Sequence, residues 1–415
     1  MCVRGGLLFV LLLGGCYSPS FDTCSLRCAT NEKCPNGYDC SNGRCAIEGS
    51  TCSPSDGDID DGMRPDLNTA TCGNMTRDIG EICFAAPVQY DTDSNIFDAQ
   101  FIDANGNGVK DLVFATSTNY GFRLNDGGFE TTTRVGPQVN GMLTFRGEDL
   151  DGDTVPELVN HNTSGNIEIY RWNNQSNVWG LASSAVTEMA AVPGVAIGRT
   201  PRSIAIVSST MLRIFGLPSN GLVPTPVGSG FGISGGRDIA IGDTDNDGTE
   251  EIAIAQMFGV SIFNSGSSMS PFMQATDAVV ACNVDGDSNS EFVYTIKSAG
   301  LPGRVGSLRW TSSATYEVTP RQDIDNMLAD VACEDLDNDG KDDAILVSGS
   351  LNNWNLLVLR GRADATFEPP VTFEIPSSVT HINVGDYNND LAPDLVLTSN
   401  RAGGMASITV LTGDP

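Results

Sequence analysis

A nine-residue acidic loop recurs along this chain, and its clearest copy is Asp335-Leu336-Asp337-Asn338-Asp339-Gly340-Lys341-Asp342-Asp343. Oxygens at positions one, three and five of such a loop converge on one point, position seven adds a backbone carbonyl, and Gly340 suits the positive φ of a sharp turn. This is how proteins hold a hard cation such as calcium. An EF-hand begins the same way but closes with Glu at position twelve, where this chain has Leu346. Here the closing acid is at position nine, and Ala344-Ile345-Leu346-Val347 follows it. So short an apolar run suits a buried strand better than a helix. The expected unit is strand, metal loop, strand.

Six loops share this register. They begin at Asp103, Asp149, Asp243, Asn283, Asp335 and Asp386, and each has an acid eight residues on. The candidate calcium ligands are Asp103, Asn105, Asn107 and Asp111; Asp149, Asp151, Asp153 and Glu157; Asp243, Asp245, Asp247 and Glu251; Asn283, Asp285, Asp287 and Glu291; Asp335, Asp337, Asp339 and Asp343; Asp386, Asn388, Asp390 and Asp394. Thr154, Ser288 and Leu391 replace the position-six glycine, and Asn283 replaces the first Asp, which sets those loops apart.

Successive loops start 46, 94, 40, 52 and 51 residues apart, so the long gap is two periods. In its middle, Val195-Ala196-Ile197-Gly198 copies Ile239-Ala240-Ile241-Gly242, and Arg199-Thr200-Pro201-Arg202 stands in for a metal loop. That makes seven repeats, one without an ion site. Further strands are expected at Ile167–Tyr170, Leu212–Phe215, Val260–Phe263, Leu356–Leu359 and Ile408–Leu411, with a weaker fourth strand before each next loop. Four short strands at this period make a β-propeller blade. The last repeat lacks its fourth strand, and the stretch Phe84–Tyr90 reads like the fourth strand Phe367–Phe373. The expectation is an all-β, seven-bladed propeller of four-stranded blades over 84–415, with its N-terminal strand completing the last blade.

These loops, the strand that follows them and the period resemble the FG-GAP or VCBS repeats of integrin alpha-chain propellers and many bacterial surface proteins. The resemblance implies a calcium-stabilised propeller. It is poor guidance to function, because such propellers serve adhesins, lectins and some polysaccharide-cleaving enzymes.

Ahead of the propeller, Arg4, the apolar run Leu7–Leu13 and Leu13-Gly14-Gly15-Cys16 read as an export signal. The last four residues resemble a bacterial lipobox, which implies cleavage after residue 15 and lipidation of Cys16, with an anchor in the cell envelope, at the outer membrane. Segment 16–52 holds Cys24, Cys28, Cys34, Cys40, Cys45 and Cys52 with few large apolar groups, so disulfides are expected to hold that small module, in a connectivity left open. Residues 53–83 form an acidic linker, at whose end Cys72 and Cys83 are expected to pair. Cys282 and Cys333 precede the loops of neighbouring repeats, a placement that would let them bridge two blades.

The formal net charge of -29 argues against nucleic acid or an anionic membrane surface as partner. The two histidines, His161 and His381, fall in non-adjacent repeats and are expected at the surface. No GxSxG, HExxH or phosphate-cradling loop occurs. The expected function is therefore a displayed binding or adhesion module for an extracellular or periplasmic carbohydrate or protein, not an enzyme. The rivals are a carbohydrate-active enzyme, lyase or hydrolase, and a purely structural envelope component. Three longer turns on the face away from the metal loops carry Lys297, Arg304, Trp354 and Arg401, the candidate ligand-binding residues.

Overall fold

The run that follows each acidic loop forms a deeply buried strand. All six residues of Asp111–Thr116, Glu157–Asn162, Glu251–Gln256 and Glu291–Ile296 are buried. A strand covered on both faces needs apolar residues at successive positions; Leu112-Val113-Phe114-Ala115, Ile252-Ala253-Ile254-Ala255 and Phe292-Val293-Tyr294 supply them, while Glu157–Asn162 buries the polar run Asn160-His161-Asn162.

The computed structural model describes Tyr38–Ser41, Arg44–Ile47, Cys72, Arg77 and residues 79–414 apart from 93, 117, 140–141, 190–193, 220, 265–266, 297–301, 312–314, 325–326, 351–352, 376–377 and 401–405. The chain divides into two units, Met1–Asp66 and Leu67–Pro415. In the first, Tyr38–Ser41 pairs antiparallel with Arg44–Ile47 and sets Cys40 opposite Cys45. The expected export signal, Cys16, Cys24, Cys28, Cys34, Cys52 and the linker 53–71 lie outside the described residues.

The second unit contains seven sheets of antiparallel strands. Blade 1 is Ile96–Ile102, Asp111–Thr116, Asn119–Arg123 and Arg134–Gln138, and blade 2 is Met142–Glu148, Glu157–Asn162, Asn166–Asn173 and Val178–Val186. Blade 3 is Gly194–Arg199, Arg202–Val207 and Met211–Gly216, its outer strand broken into Thr225–Pro226 and Phe231–Gly232. Blade 4 is Gly236–Gly242, Glu251–Gln256, Gly259–Asn264 and Ser267–Phe272. Blade 5 is Ala278–Cys282, Glu291–Ile296 and Gly303–Thr311, with Thr315–Val318 and Gln322–Ile324 as its outer edge. Blade 6 is Met327–Glu334, Asp343–Ser350, Asn353–Leu359 and Val371–Ile375. Blade 7 is His381–Gly385, Asp394–Asn400 and Ala406–Leu411, completed by Val88–Thr92 from the other end of the chain. In blade 3 the place of the metal loop is a tight hairpin that pairs Arg199 with Arg202.

The closing strand starts later than Phe84. Phe84 bridges Gly413 and the Ala85 amide donates to the Thr412 carbonyl, but the regular ladder begins at Val88, opposite Val410. Between them stands Pro87, which has no N–H to give.

The core lies between blades. Seven buried clusters occupy the seven blade-to-blade interfaces, among them Ile102, Tyr120 and Phe122 of blade 1 against Phe145, Leu158 and Trp172 of blade 2. The join between blades 7 and 1 adds a stack of rings, with Phe129 4.7 Å from Tyr387 and Tyr387 5.2 Å from Phe101. The inner strands pack against one another around the whole ring. They line a polar channel of about 480 Å³. Irregular pairing at Asp98, Asp238 and Asp330 breaks three of these strands at equivalent points. The carboxylates there tie blade to blade. Asp238 accepts the Val279 amide of blade 5 at 3.0 Å, Asp330 accepts the Ile382 amide of blade 7 at 3.1 Å, and Asp98 pairs with Arg146 of blade 2 at 3.1 Å.

Of the two histidines, His381 is exposed at the channel mouth near Asp330. His161 is not at the surface. It is 2% exposed in the second strand of blade 2, its Nε2 2.8 Å from the Thr187 hydroxyl, because that strand is covered on both faces.

Cys282 and Cys333 form a disulfide between the inner strands of blades 5 and 6, and Cys72 pairs with Cys83. The blade-to-blade bond closes a segment spanning 51 residues. Replacing both Cys282 and Cys333 with Ser is expected to lower unfolding stability by about 4 kcal/mol on the loop-closure relation. Deleting 84–92 is expected to leave the Ala406–Leu411 edge open and yield an aggregating product, read by light scattering.

Candidate metal centres

Each of the six loops links a blade's inner strand to its buried second strand, so all six lie on one face of the ring, opposite the turns between second and third strands. A common frame shapes them. The acid at position nine accepts the backbone N–H of position two in every copy: Ala104 to Asp111, Leu150 to Glu157, Thr244 to Glu251, Val284 to Glu291, Leu336 to Asp343 and Tyr387 to Asp394, all between 2.8 and 3.1 Å. The side chain at position one takes amides from later in its own loop, as when Asp339 and Gly340 donate to Asp335 at 3.1 and 3.0 Å.

Two positions need left-handed backbone. At position six, Gly108, Gly248 and Gly340 have φ near +84°, and Thr154 (φ 75) and Leu391 (φ 71) adopt the same conformation without being glycine. Position four is more uniform. Gly106, Gly152, Asn246, Gly286, Asn338 and Asn389 all have positive φ. Only Gly or Asn stands there in all six copies, a regularity open to inspection in the sequence, and these are the residues that tolerate this region.

The acids at position nine differ in what their second oxygen does. In Asp111, Asp343 and Asp394 it accepts a backbone amide from the end of the third strand, that of Asn125, Gly361 and Gly413 respectively. A glutamate is one carbon longer. Glu157 turns its Oε1 to Arg171, and Glu251 Oε1 is buried with no hydrogen-bond partner.

Four loops gather three carboxylates whose ligand atoms lie within 4.8 Å of one another: Asp149, Asp151 and Glu157; Asp243, Asp245 and Glu251; Asp285, Asp287 and Glu291; Asp335, Asp337 and Asp339. Their donors are all hard oxygens, the set that suits calcium or a similar cation. Single carboxylate oxygens of Asp151, Asp243, Glu251 and Asp337 are buried without a hydrogen bond, as oxygens reserved for a cation would be. Asp153, Asp247 and Asp343 fall outside these trios. The loops of blades 1 and 7 make no such trio, because Asn105, Asn107 and Asn388 occupy acid positions. There Asn388 donates to Asp390 at 2.8 Å, and the Asn107 side chain to the Asn125 carbonyl at 3.4 Å.

Cations of the protein itself enter three loops. Arg171 pairs with Asp151 and, at 3.0 Å, with Glu157; Arg309 lies 3.0 Å from Asp285; Arg360 lies 2.7 Å from Asp337. Lys341 adds a 2.6 Å contact to Asp339. Arg171 and Arg309 sit on third strands and Arg360 directly follows one, all outside the loops whose acids they meet, so the loop motif does not announce them. Strand pairing does, since each stands opposite the position-nine acid. The loop of blade 6 is also covered: Gly80 donates to the Asp337 carbonyl at 2.7 Å, and Arg77 reaches the carbonyls of Asp335 and Leu391.

Burial raises the pKa of the position-nine acids, and neighbouring loop carboxylates raise several of them further. Asp111, Glu157 and Asp394 reach about 7, and Glu291 and Asp343 about 8. Without a cation these groups hold protons that the unfolded chain releases.

Of the candidate ligand-binding residues, Arg304 pairs with Asp323 at 2.7 Å, and Trp354 is half-buried against the core between blades 6 and 7 rather than free at the surface. Lys297 and Arg401 lie outside the described residues.

Residues 335–397, which carry the loops of blades 6 and 7, match the family model of the FG-GAP-like repeat. No curated protein matches the chain. The fold is a seven-bladed β-propeller, and its segment 335–397 is similar to the FG-GAP-like repeat, a kind of repeat typical of binding or structural modules.

Two outcomes follow for the loops. Leu391 is 78% exposed, so Leu391→Gly gives up little packing and removes left-handed strain. It is expected to raise stability by about 1 kcal/mol in denaturant melts. In chelator, the raised pKa values supply stability that is present below about pH 4 and lost as pH rises through 7 to 8. The melting temperature should fall across that window, and Glu291→Gln should flatten part of the slope.

Proposed function

We propose that this chain is an exported, lipid-anchored lipoprotein of the cell envelope, at the outer membrane, whose calcium-bound propeller displays a binding or adhesion surface for a carbohydrate or protein. The observation that carries the calcium reading is the loop of blade 4. There Asp243 Oδ1 and Glu251 Oε1 are buried without hydrogen bonds, Asp245 offers an oxygen within 4.8 Å of both residues' ligand atoms, and among the described residues no Arg or Lys pairs with them. Asp245 has its own pKa raised by burial and by Asp247 and Asp243, so the site favours an incoming positive charge. The lipidated Cys16 rests on Leu13-Gly14-Gly15-Cys16 and the preceding apolar run. The binding role rests on the FG-GAP-like repeat and on a fold whose face away from the loops is free of their constraints.

Calcium at a hundredfold excess over its dissociation constant would stabilise the folded state by roughly 2.7 kcal/mol per site. Addition of calcium to chelated protein is expected to raise the melting temperature, and Asp245→Asn to remove a measurable part of the rise. No response to calcium would exclude the metal reading. Cys16→Ser is expected to release the protein from the membrane fraction. A glycan array probed with and without calcium tests the ligand class, carbohydrate binding giving calcium-dependent spots.

A further inference from the structure

The six loops share a frame, yet the third strand delivers a different residue to each. Extending the pairing of second and third strands by one step sets Arg171 opposite Glu157, Arg309 opposite Glu291 and Arg360 opposite Asp343. The same step sets Asn264 opposite Glu251 in blade 4, Leu124 opposite Asp111 in blade 1 and Thr412 opposite Asp394 in blade 7. In all three blades that have it, the guanidinium reaches the same partner, the carboxylate at loop position three: Asp151, Asp285 and Asp337.

We propose that these third-strand arginines are built-in competitors for the cation, so that the loops of blades 2, 5 and 6 hold divalent metal weakly and the loop of blade 4 is the principal site. The inference rests on the calcium reading above and adds a rule for which loops fill first. The position-three oxygen cannot serve a guanidinium and a metal ion fully at once, and a fixed positive charge beside a site repels a divalent ion whatever the geometry. Blade 4 keeps three carboxylates with Asn264 in place of arginine, and the unpartnered Oε1 of Glu251, a residue 0% exposed, is left to the ion. The rule inverts the order suggested by the loop sequences. Asp335–Asp343 is the most complete motif, and it is also the loop with Arg360 and Lys341 against its acids and the Arg77–Gly80 stretch across it.

The test is calcium binding to the full chain by equilibrium dialysis, with terbium luminescence as a second readout. Asn264→Arg, which installs the competitor in blade 4, is expected to weaken the tightest site at least tenfold. Arg171→Gln with Arg309→Gln is expected to add tight sites or to strengthen the weak class at least tenfold. Arg360 is left unchanged because it also donates to the Gly80 carbonyl at 2.7 Å, so its removal would disturb the fold. Melting in chelator checks that each variant remains folded. Calcium binding that neither variant alters overturns the proposal and leaves the metal reading intact. No binding by either the wild type or the double variant removes both.

Discussion

No blade of this propeller has a core of its own. A single twisted sheet of four strands has two apolar faces and nothing within itself to cover them, so each blade is stable only between two neighbours. The seven buried clusters sit at the seven joins, and the strand after each acidic loop is buried on both faces for that reason. The ring must therefore close. Pairing of Val88–Thr92 with Ala406–Leu411 closes it by hydrogen bonds, and the Phe101, Phe129 and Tyr387 rings close it by packing.

Closure gathers like charges. Six acidic loops come to one face of a chain with a formal net charge of -29, and their position-nine acids are buried where ionisation is disfavoured. Three ways of meeting that cost coexist among the blades. Asparagine replaces aspartate in blades 1 and 7, arginine from the third strand enters the loops of blades 2, 5 and 6, and blade 3 has dropped the loop for a hairpin. Blade 4 uses none of them. Among the described residues its carboxylates have no internal countercharge.

Periodicity made the architecture legible in the sequence. Acids at fixed offsets survive one lost copy, and the apolar run after each loop marks the strand with two covered faces. The missing last strand and its copy near Phe84 located the closure to within a few residues, with Pro87 accounting for the difference. What escaped were the side-chain contacts that strand register creates between distant residues. Arg171, Arg309 and Arg360 look like ordinary strand residues until register sets them opposite a glutamate or aspartate. Asp98, Asp238 and Asp330 look like members of an acidic surplus until strand irregularities aim them at the next blade. His161 misled for a related reason, since the polar run Asn160-His161-Asn162 carries no sign that both faces of its strand are covered. The Gly or Asn at position four is legible in all six copies, but it marks left-handed backbone and not an oxygen donor.

The closing strand also sets an order in time. Val88–Thr92 leaves the ribosome well before its partner Ala406–Leu411, with six blades of chain between them. At about 10 residues per second, the intervening chain takes roughly half a minute to synthesise. Throughout that interval the first segment of the propeller has no sheet to join, and a partly built ring exposes an apolar blade face at each end. A nascent chain of this design cannot secure its fold piece by piece, and any helper that shields it must stay until Ala406–Leu411 is released.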